Sequence, residues 1–260
     1  MEVFIGMKKQ SKPKLAFFDF TDCEGCQLQF ANMGMTLVEL TQLVDIVKFR
    51  EVISEDSEDY DVAVVEGSIS TDNDVKRIKK IREKAKILIA MGACATTGGV
   101  NGIKNRAPLE TAKQRVYGEK AGIVNTINAM PVHKVVNVDY FINGCPVHLS
   151  EVVNVIKCVL MGKPYVVPNY AVCAECKMNE NVCLYEKDQE CLGALTKAGC
   201  NSWCVNNGNK CYGCRGLLEN PAVNAAKDIL LKYGLTVEEI LQRFTLYNDS
   251  MGEKYDKELK

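Results

Sequence analysis

The chain has 260 residues, enough for one large domain or two modest ones, and its 47% hydrophobic and 25% charged residues are those of an ordinary soluble globular protein. Its 32 basic and 33 acidic residues leave a net charge of −1, which argues against a nucleic-acid surface or a polybasic membrane patch. No run approaches the roughly eighteen apolar residues of a membrane span. The opening MEVFIGMKKQSKPK has neither a long apolar core nor a twin-arginine pair, so no export signal and a cytoplasmic location are expected.

KLAFFDF (14–20), apolar and preceded by Pro13, reads as the first strand. The loop TDCEGC comes next, with Cys23-x-x-Cys26. Residues 27–43 set Leu28, Phe30, Met33, Leu37, Leu40 and Leu43 near helical spacing. VDIVKFREV is a second strand, and the acidic SEDSEDYD a solvated surface loop. DVAVVEG (61–67) has the near-continuous apolar character of a strand buried in a parallel sheet. TDNDVKRIKKIREKA is an amphipathic helix with Val75, Ile78 and Ile81 inward. AKILIAMGA (85–93) is another buried strand, leading into Cys94. TTGGVNG (96–102) reads as a glycine-rich loop, and 108–129 as a polar helical region. VVNVDYFINGC (135–145) is the last strand and ends at Cys145-Pro146. HLSEVVNVIKCVLMG is a helix in which Cys158 is a small buried hydrophobe, and KPYVVPNY links it to a cysteine-rich segment.

Strands alternating with helices predict an α/β fold with a doubly wound parallel sheet, and five strands suit a flavodoxin-like order. In such sheets the carboxyl ends of the strands share one edge, where ligands bind. Cys23 and Cys26, Cys94 and Cys145 all lie just past strands and are expected to converge there. Gly25, Gly92 and Gly144 accompany them and allow close backbone approach. Amides can then point at cluster sulfides, and Pro146 stiffens the chain beside Cys145. A lone Cys-x-x-Cys after a first strand also suits a redox dithiol of the thioredoxin kind, but that leaves Cys94 and Cys145 unexplained.

From Cys173 to Cys214 eight residues are cysteine, and the segment opens on Cys173-x-x-Cys176 and closes on Cys211-x-x-Cys214. Gly193, Gly199, Gly208, Gly213 and polar residues fill the gaps, so long helices and strands are not expected. Such a segment is held by disulfides, zinc or iron–sulfur clusters. The total of thirteen cysteines is odd, and in a reducing cytosol they point to metal ligands. With only His133 and His148 present, a histidine-rich site is excluded. Past Cys214, NPAVNAAKDILLKYG is a helix with Asn220 as N-cap, Pro221 at its first position and Gly234 as C-cap. TVEEILQRF comes after it with a Thr236–Glu239 capping box. Both helices are expected to cover the cysteine-rich part or the sheet.

The strings DCEGCQLQF, VVEGSIS, MGACATTGGV and INGCPVH, with the eight-cysteine region after them, resemble the small subunit of a [NiFe] hydrogenase over nearly the whole chain. The first half is shared with an iron–sulfur subunit of respiratory NADH dehydrogenases, which lacks the eight-cysteine tail. DCEGCQLQF and CYGCRG look most like the cytosolic NAD(P)-linked sulfhydrogenases. Relatives that feed heterodisulfide reductase or reduce the deazaflavin coenzyme are the alternatives. The resemblance implies a flavodoxin-like domain over 1–168 and a small irregular iron–sulfur domain with C-terminal helices over 169–260. It implies three [4Fe–4S] clusters. The proximal ligands match Cys23, Cys26, Cys94 and Cys145. The distal ones match Cys173, Cys176, Cys183 and Cys191, and the medial ones Cys200, Cys204, Cys211 and Cys214.

Exported relatives have a histidine in the first distal pair, where Cys173 stands, and often a three-iron medial cluster with proline near the place of Cys204. The implied role is electron relay between the NiFe site of a large subunit and a flavin/NAD(P)-binding or ferredoxin-like partner. Glu24 and Glu66 flank the proximal site and read either as tuning groups or as surface or interface carboxylates. Two other classes compete. Eight cysteines suit a zinc-stapled interaction protein, but the four on the sheet edge do not fit a zinc ribbon. A nucleotide-binding enzyme suits the sheet, but GGVNG lacks the G-x-G-x-x-G spacing after the first strand.

Overall fold

The computed structural model describes residues 11–249; the expected absence of an export signal falls on residues 1–10, outside the described residues. Five strands, β1 (Lys14–Asp19), β2 (Asp45–Lys48), β3 (Val62–Glu66), β4 (Ile87–Met91) and β5 (Tyr140–Ile142), form one sheet in the order β2-β1-β3-β4-β5. All four pairings are parallel. This is the flavodoxin-like order. Around the sheet lie α1 (Gly25–Ala31), α2 (Met35–Thr41), α3 (Asp72–Lys84), α4 (Gly92–Thr97), α5 (Leu109–Tyr117) and α6 (Leu149–Leu160). The cysteine-rich region carries only α7 (Val172–Met178), a 3-10 turn at Leu184–Lys187 and α8 (Trp203–Asn206) before α9 (Val223–Lys232) and α10 (Val237–Thr245).

Side chains alternate across β1 as a pleated strand requires. Leu15 and Phe17 enter one apolar layer with Phe30, Phe49 and, from α6, Val152 and Val155. Ala16 and Phe18 enter the opposite layer with Ile78 and Ile81 of α3. Phe17 stacks on Phe49 at 4.2 Å and tilts against Phe30 at 4.6 Å. A third apolar cluster joins Leu192, Leu195 and Leu217 to Leu230 of α9 and Ile240 and Phe244 of α10, so these helices pack on the cysteine-rich segment. α10 has the expected capping box, with Thr236 Oγ1 accepting from the Glu239 amide at 3.2 Å and the Glu239 carboxylate from the Thr236 amide at 2.8 Å.

Several expected elements differ. The 27–43 helix is two helices, because Gly34 takes φ +59° between them. The change of direction leaves Leu28 and Leu43 exposed while Phe30, Met33 and Leu40 stay buried. The glycine-rich loop at 96–102 is instead the end of α4 and the start of a 3-10 stretch, Gly99–Arg106. The polar helical region ends at Tyr117 and a 3-10 turn, after which Met130 bridges Ile69 as extended chain. The last strand is only Tyr140–Ile142, because residues 135–139 continue as turn and loop after the 3-10 turn Val132–Lys134. α9 begins at Val223 behind Ala222, not at Pro221 behind Asn220; Tyr233 is its C-cap and Gly234, at φ +79°, comes next. Cys158 is half-buried in α6 rather than buried.

Candidate metal centres

The last rung of the sheet aligns Asp19, Glu66, Met91 and Ile142 across β1, β3, β4 and β5. Cys23, Cys94 and Cys145 come within three or four residues of that rung, so sheet geometry alone delivers them to one edge. Cys26 joins them from the first turn of α1. Glu66 fixes that turn: its carboxylate accepts from the Cys26 amide at 3.0 Å and the Gln27 amide at 2.8 Å, and it is buried. Glu66 therefore holds backbone at this edge, as a capping carboxylate does at a helix start. Glu24 pairs instead with Arg50 on the surface.

Burial pushes the Cys26 thiol up, and the Glu66 charge and then Cys145 add to the effect. Cys94 is pushed up to about 12 by burial first and then by Cys145, Asp22 and Cys23. Cys145 is raised by burial and by Cys23. These four thiols form the sheet-edge group.

A second, outer group forms in the cysteine-rich region. Cys173 and Cys176 lie one turn apart on α7, on the same helix face. Cys173 is pushed up to about 11 by burial, then by Cys191, Cys176 and Cys183, and Cys176 is raised by burial, Cys191 and Cys183. The third, middle group is Cys200, Cys204, Cys211 and Cys214, which line a cavity of about 60 Å³ together with Cys145 and Tyr247. Burial pushes Cys214 up to about 12 and holds Cys211 well above the usual thiol range. Among the described residues no three histidine, cysteine or carboxylate side chains stand close enough together to hold a single metal ion.

The middle group meets both others. Cys145 of the sheet-edge group lines the same cavity as Cys214. The Cys211 amide donates to Cys191 Sγ at 3.4 Å. Two residues outside the cysteines hold the middle loop. Asn201 and Ser202 take positive φ values of 53° and 50°. Glu175 of α7 accepts from the Gly199 amide at 2.7 Å and the Ser202 amide at 3.1 Å, and Asn179 Nδ2 donates to the Asn201 carbonyl at 3.1 Å.

The donor set suits iron–sulfur clusters in two respects. The sites are made of thiols whose ionisation burial opposes, so a cationic metal core supplies the charge that thiolates need. Bare glycines also bring backbone against the sulfurs. A Cβ on Gly92 would lie 2.5 Å from Cys26 Sγ, and one on Gly99 2.8 Å from Cys94 Sγ. One on Gly193 would lie 3.5 Å from both Cys173 Sγ and Cys191 Sγ.

Sequence reasoning missed the residues that support these groups. Arg215 was visible only as the residue after Cys214 in CYGCRG. Glu151 was the carboxylate in the apolar helix HLSEVVNVIKCVLMG, a signal of a buried partner.

The family model for the NADH ubiquinone oxidoreductase 20 Kd subunit matches residues 23–159. Sulfhydrogenase 2 subunit delta of Pyrococcus furiosus is 40% identical over 205 residues, covering 78% of this chain and 86% of the relative. The delta subunit of the NAD-reducing hydrogenase HoxS of Cupriavidus necator is 28% identical over 185 residues, covering 65% of this chain and 88% of the relative. A chain of the crystal structure of an NAD+-reducing [NiFe]-hydrogenase in the H2-reduced state superposes with a TM-score of 0.54 at 25% identity, over 60% of this chain and 96% of the other.

Proposed function

The chain belongs to the family of the NADH ubiquinone oxidoreductase 20 Kd subunit and is the small subunit of a [NiFe] hydrogenase, and on that premise we propose that it relays electrons through three [4Fe–4S] clusters. The sheet-edge group Cys23, Cys26, Cys94 and Cys145 holds the proximal cluster. The middle group Cys200, Cys204, Cys211 and Cys214 holds the medial one, and the outer group Cys173, Cys176, Cys183 and Cys191 the distal one. When bound, such clusters take up and release single electrons at potentials set by charge, hydrogen bonding and exposure. Residues 1–168 form the unit of the first cluster and 169–260 that of the other two. The observation that carries this order is that Cys145 lines the cavity of the middle group while the Cys211 amide donates to Cys191 Sγ, which links the three groups in series.

The chain's residues contribute position and dryness. Glu66 anchors the first turn of α1, Glu175 and Asn179 hold the middle loop in its left-handed turn, and Tyr185 closes the outer group by donating to the Cys191 carbonyl at 2.6 Å. Small subunits of this family pair with a NiFe large subunit. Leu28, two residues after Cys26 in α1, and Val100 and Ile103, in the 3-10 stretch after Cys94, are exposed apolar side chains that suit that docking. Beyond the distal cluster the electron passes to a flavin/NAD(P)-binding or ferredoxin-like subunit, in keeping with the NAD-reducing relatives. Among the described residues no helix is long and apolar enough to cross a membrane, and a cytoplasmic place is part of the proposal.

Anaerobic iron and sulfide analysis tests the cluster count. Three cubanes require about twelve iron atoms per chain; a value near four, with zinc making up the difference, overturns the proposal. The division of labour has its own test. Expressed without its large subunit, the chain is expected to be poorly soluble and to have no H2-oxidising activity. A soluble isolated chain that oxidises H2 refutes the relay role.

A further inference from the structure

Arg215 and Glu151 form an ion pair that is 1% and 2% exposed, between the sheet-edge and middle groups. Arg215 is the residue directly after Cys214. Its Nη1 donates to Glu151 Oε2 at 2.5 Å and to the Asn143 carbonyl at 2.6 Å, and its Nη2 to Glu151 Oε1 at 2.8 Å. Its Nε donates to the carbonyls of Ala198 at 2.8 Å and Lys197 at 3.2 Å. Asn143 returns a bond from Nδ2 to the Arg215 carbonyl at 2.8 Å, and Tyr165 donates to Glu151 at 3.0 Å. One guanidinium thus ties the chain just before Cys145, the chain just before Cys200 and the chain just after Cys214. Gly199 makes room for it: at φ +115°, a Cβ there would collide with Nη2.

Stability alone does not account for this pair. Desolvating two charges costs several kcal/mol per ion, and apolar residues of similar volume often serve as well or better. Location is the informative part. Arg215 lines the same small cavity as Cys200, Cys204, Cys211 and Cys214, so its fixed positive charge faces the middle group directly. The carboxylate of Glu175, 4.0 Å from Cys200 Sγ, places a charge of the opposite sign beside the same group. An electron arriving at the middle group adds negative charge beside a fixed cation in a dry site, where charge interactions are strong.

We infer that Arg215 is a positioning residue that raises the reduction potential of the medial cluster and holds it in fixed register with the proximal one, with Glu151 as the counter-charge that moderates the effect. The inference rests on the proposed three-cluster relay. The step concerned moves one electron: the reduced proximal cluster is oxidised, the medial cluster is reduced, and no proton or bond changes hands. The electron originates in H2 oxidised by the large subunit.

The test is an anaerobic redox titration of the whole hydrogenase, monitored by electron paramagnetic resonance, with the other two clusters as internal references. Arg215→Gln is expected to lower the medial reduction equilibrium about tenfold, equivalent to 59 mV downward for a one-electron couple. Glu151→Gln is expected to shift the same signal upward. Arg215→Lys, which keeps the charge and loses the fork, is expected to keep the potential while weakening the proximal–medial spin coupling. Opposite signs for the two neutral variants are what a purely structural clamp does not produce. If Arg215→Gln fails to load iron, the sign of the Glu151→Gln shift and the behaviour of Arg215→Lys decide. An unmoved medial signal, shifts of the same sign, or a lysine variant displaced as far as the glutamine one overturns the inference. Absence of a third cluster signal in the unaltered enzyme overturns the three-cluster relay instead.

Discussion

Gly92→Ala is expected to empty the sheet-edge group of its cluster. Gly92 sits at the junction of β4 and α4 with φ +86°, a conformation that costs an L-residue roughly 1–2 kcal/mol. The added methyl would also lie 2.5 Å from Cys26 Sγ, in the buried first turn of α1, and 3.8 Å from the Gly144 carbonyl oxygen. Overpacking of this kind costs about 1–3 kcal/mol, and the sulfur is the atom that must yield. Unlike a simple loss of one thiol, the substitution leaves both the displaced sulfur and the new methyl at the sheet edge, so the whole cluster is kept from seating. Iron is expected to fall from about twelve to about eight per chain. H2-dependent reduction of every acceptor, natural or artificial, should fall by at least about a hundredfold, since misplacement near the reacting groups has effects of that size. Gly34→Ala is the control. Its φ is +59°, but nothing lies within 4 Å of the added methyl, so only backbone strain is incurred and the iron content should stand. A Gly92→Ala enzyme with its full complement of iron would show that Cys26 is no ligand.

Cys204→Pro is expected to remove a single iron. Cys204 is the second residue of α8, and first-turn amides have no partner inside their helix, so a proline ring takes no helical hydrogen bond away. The Cys204 carbonyl, which accepts from the Asn209 amide at 2.8 Å, is retained. Only the thiol is lost from the cavity that it lines with Cys200, Cys211 and Cys214. The medial cluster should become a three-iron cluster, with a paramagnetic signal in the oxidised state that the unaltered enzyme lacks, while the other two clusters persist. Its potential changes with the loss of a thiolate and an iron. Electron delivery to the terminal acceptor should therefore suffer more than delivery to a dye that accepts from the proximal cluster. Unchanged spectra and iron content would remove Cys204 from the ligand set.

The convergence of Cys23, Cys94 and Cys145 was legible because apolar runs mark strands, and strands of a parallel sheet end on one edge. That inference needs only strand direction, so the errors in strand length did no harm. β5 is far shorter than the 135–145 run suggested, yet Cys145 still lies just past it. Glu66 was visible as a neighbour of the site; its service to the Cys26 and Gln27 amides depends on strand register and was not.

Local chemistry in the sequence thus marked the residues proposed to carry the function: apolar runs marked the strands, and cysteine spacing marked the thiols. Helix breaks depended on single backbone angles, as at Gly34, and a glycine in helical company carries no mark of its φ. The linkage of the groups was decided by tertiary structure. Arg215 and Glu151 are 64 positions apart, and their pairing exists only because the segment after Cys214 packs on α6 beside Asn143. A charge in an apolar helix signals that a partner exists, because an unpaired buried carboxylate is too costly to keep. Which partner meets it, and which thiols feel the resulting field, depend on long-range packing that residue spacing does not encode.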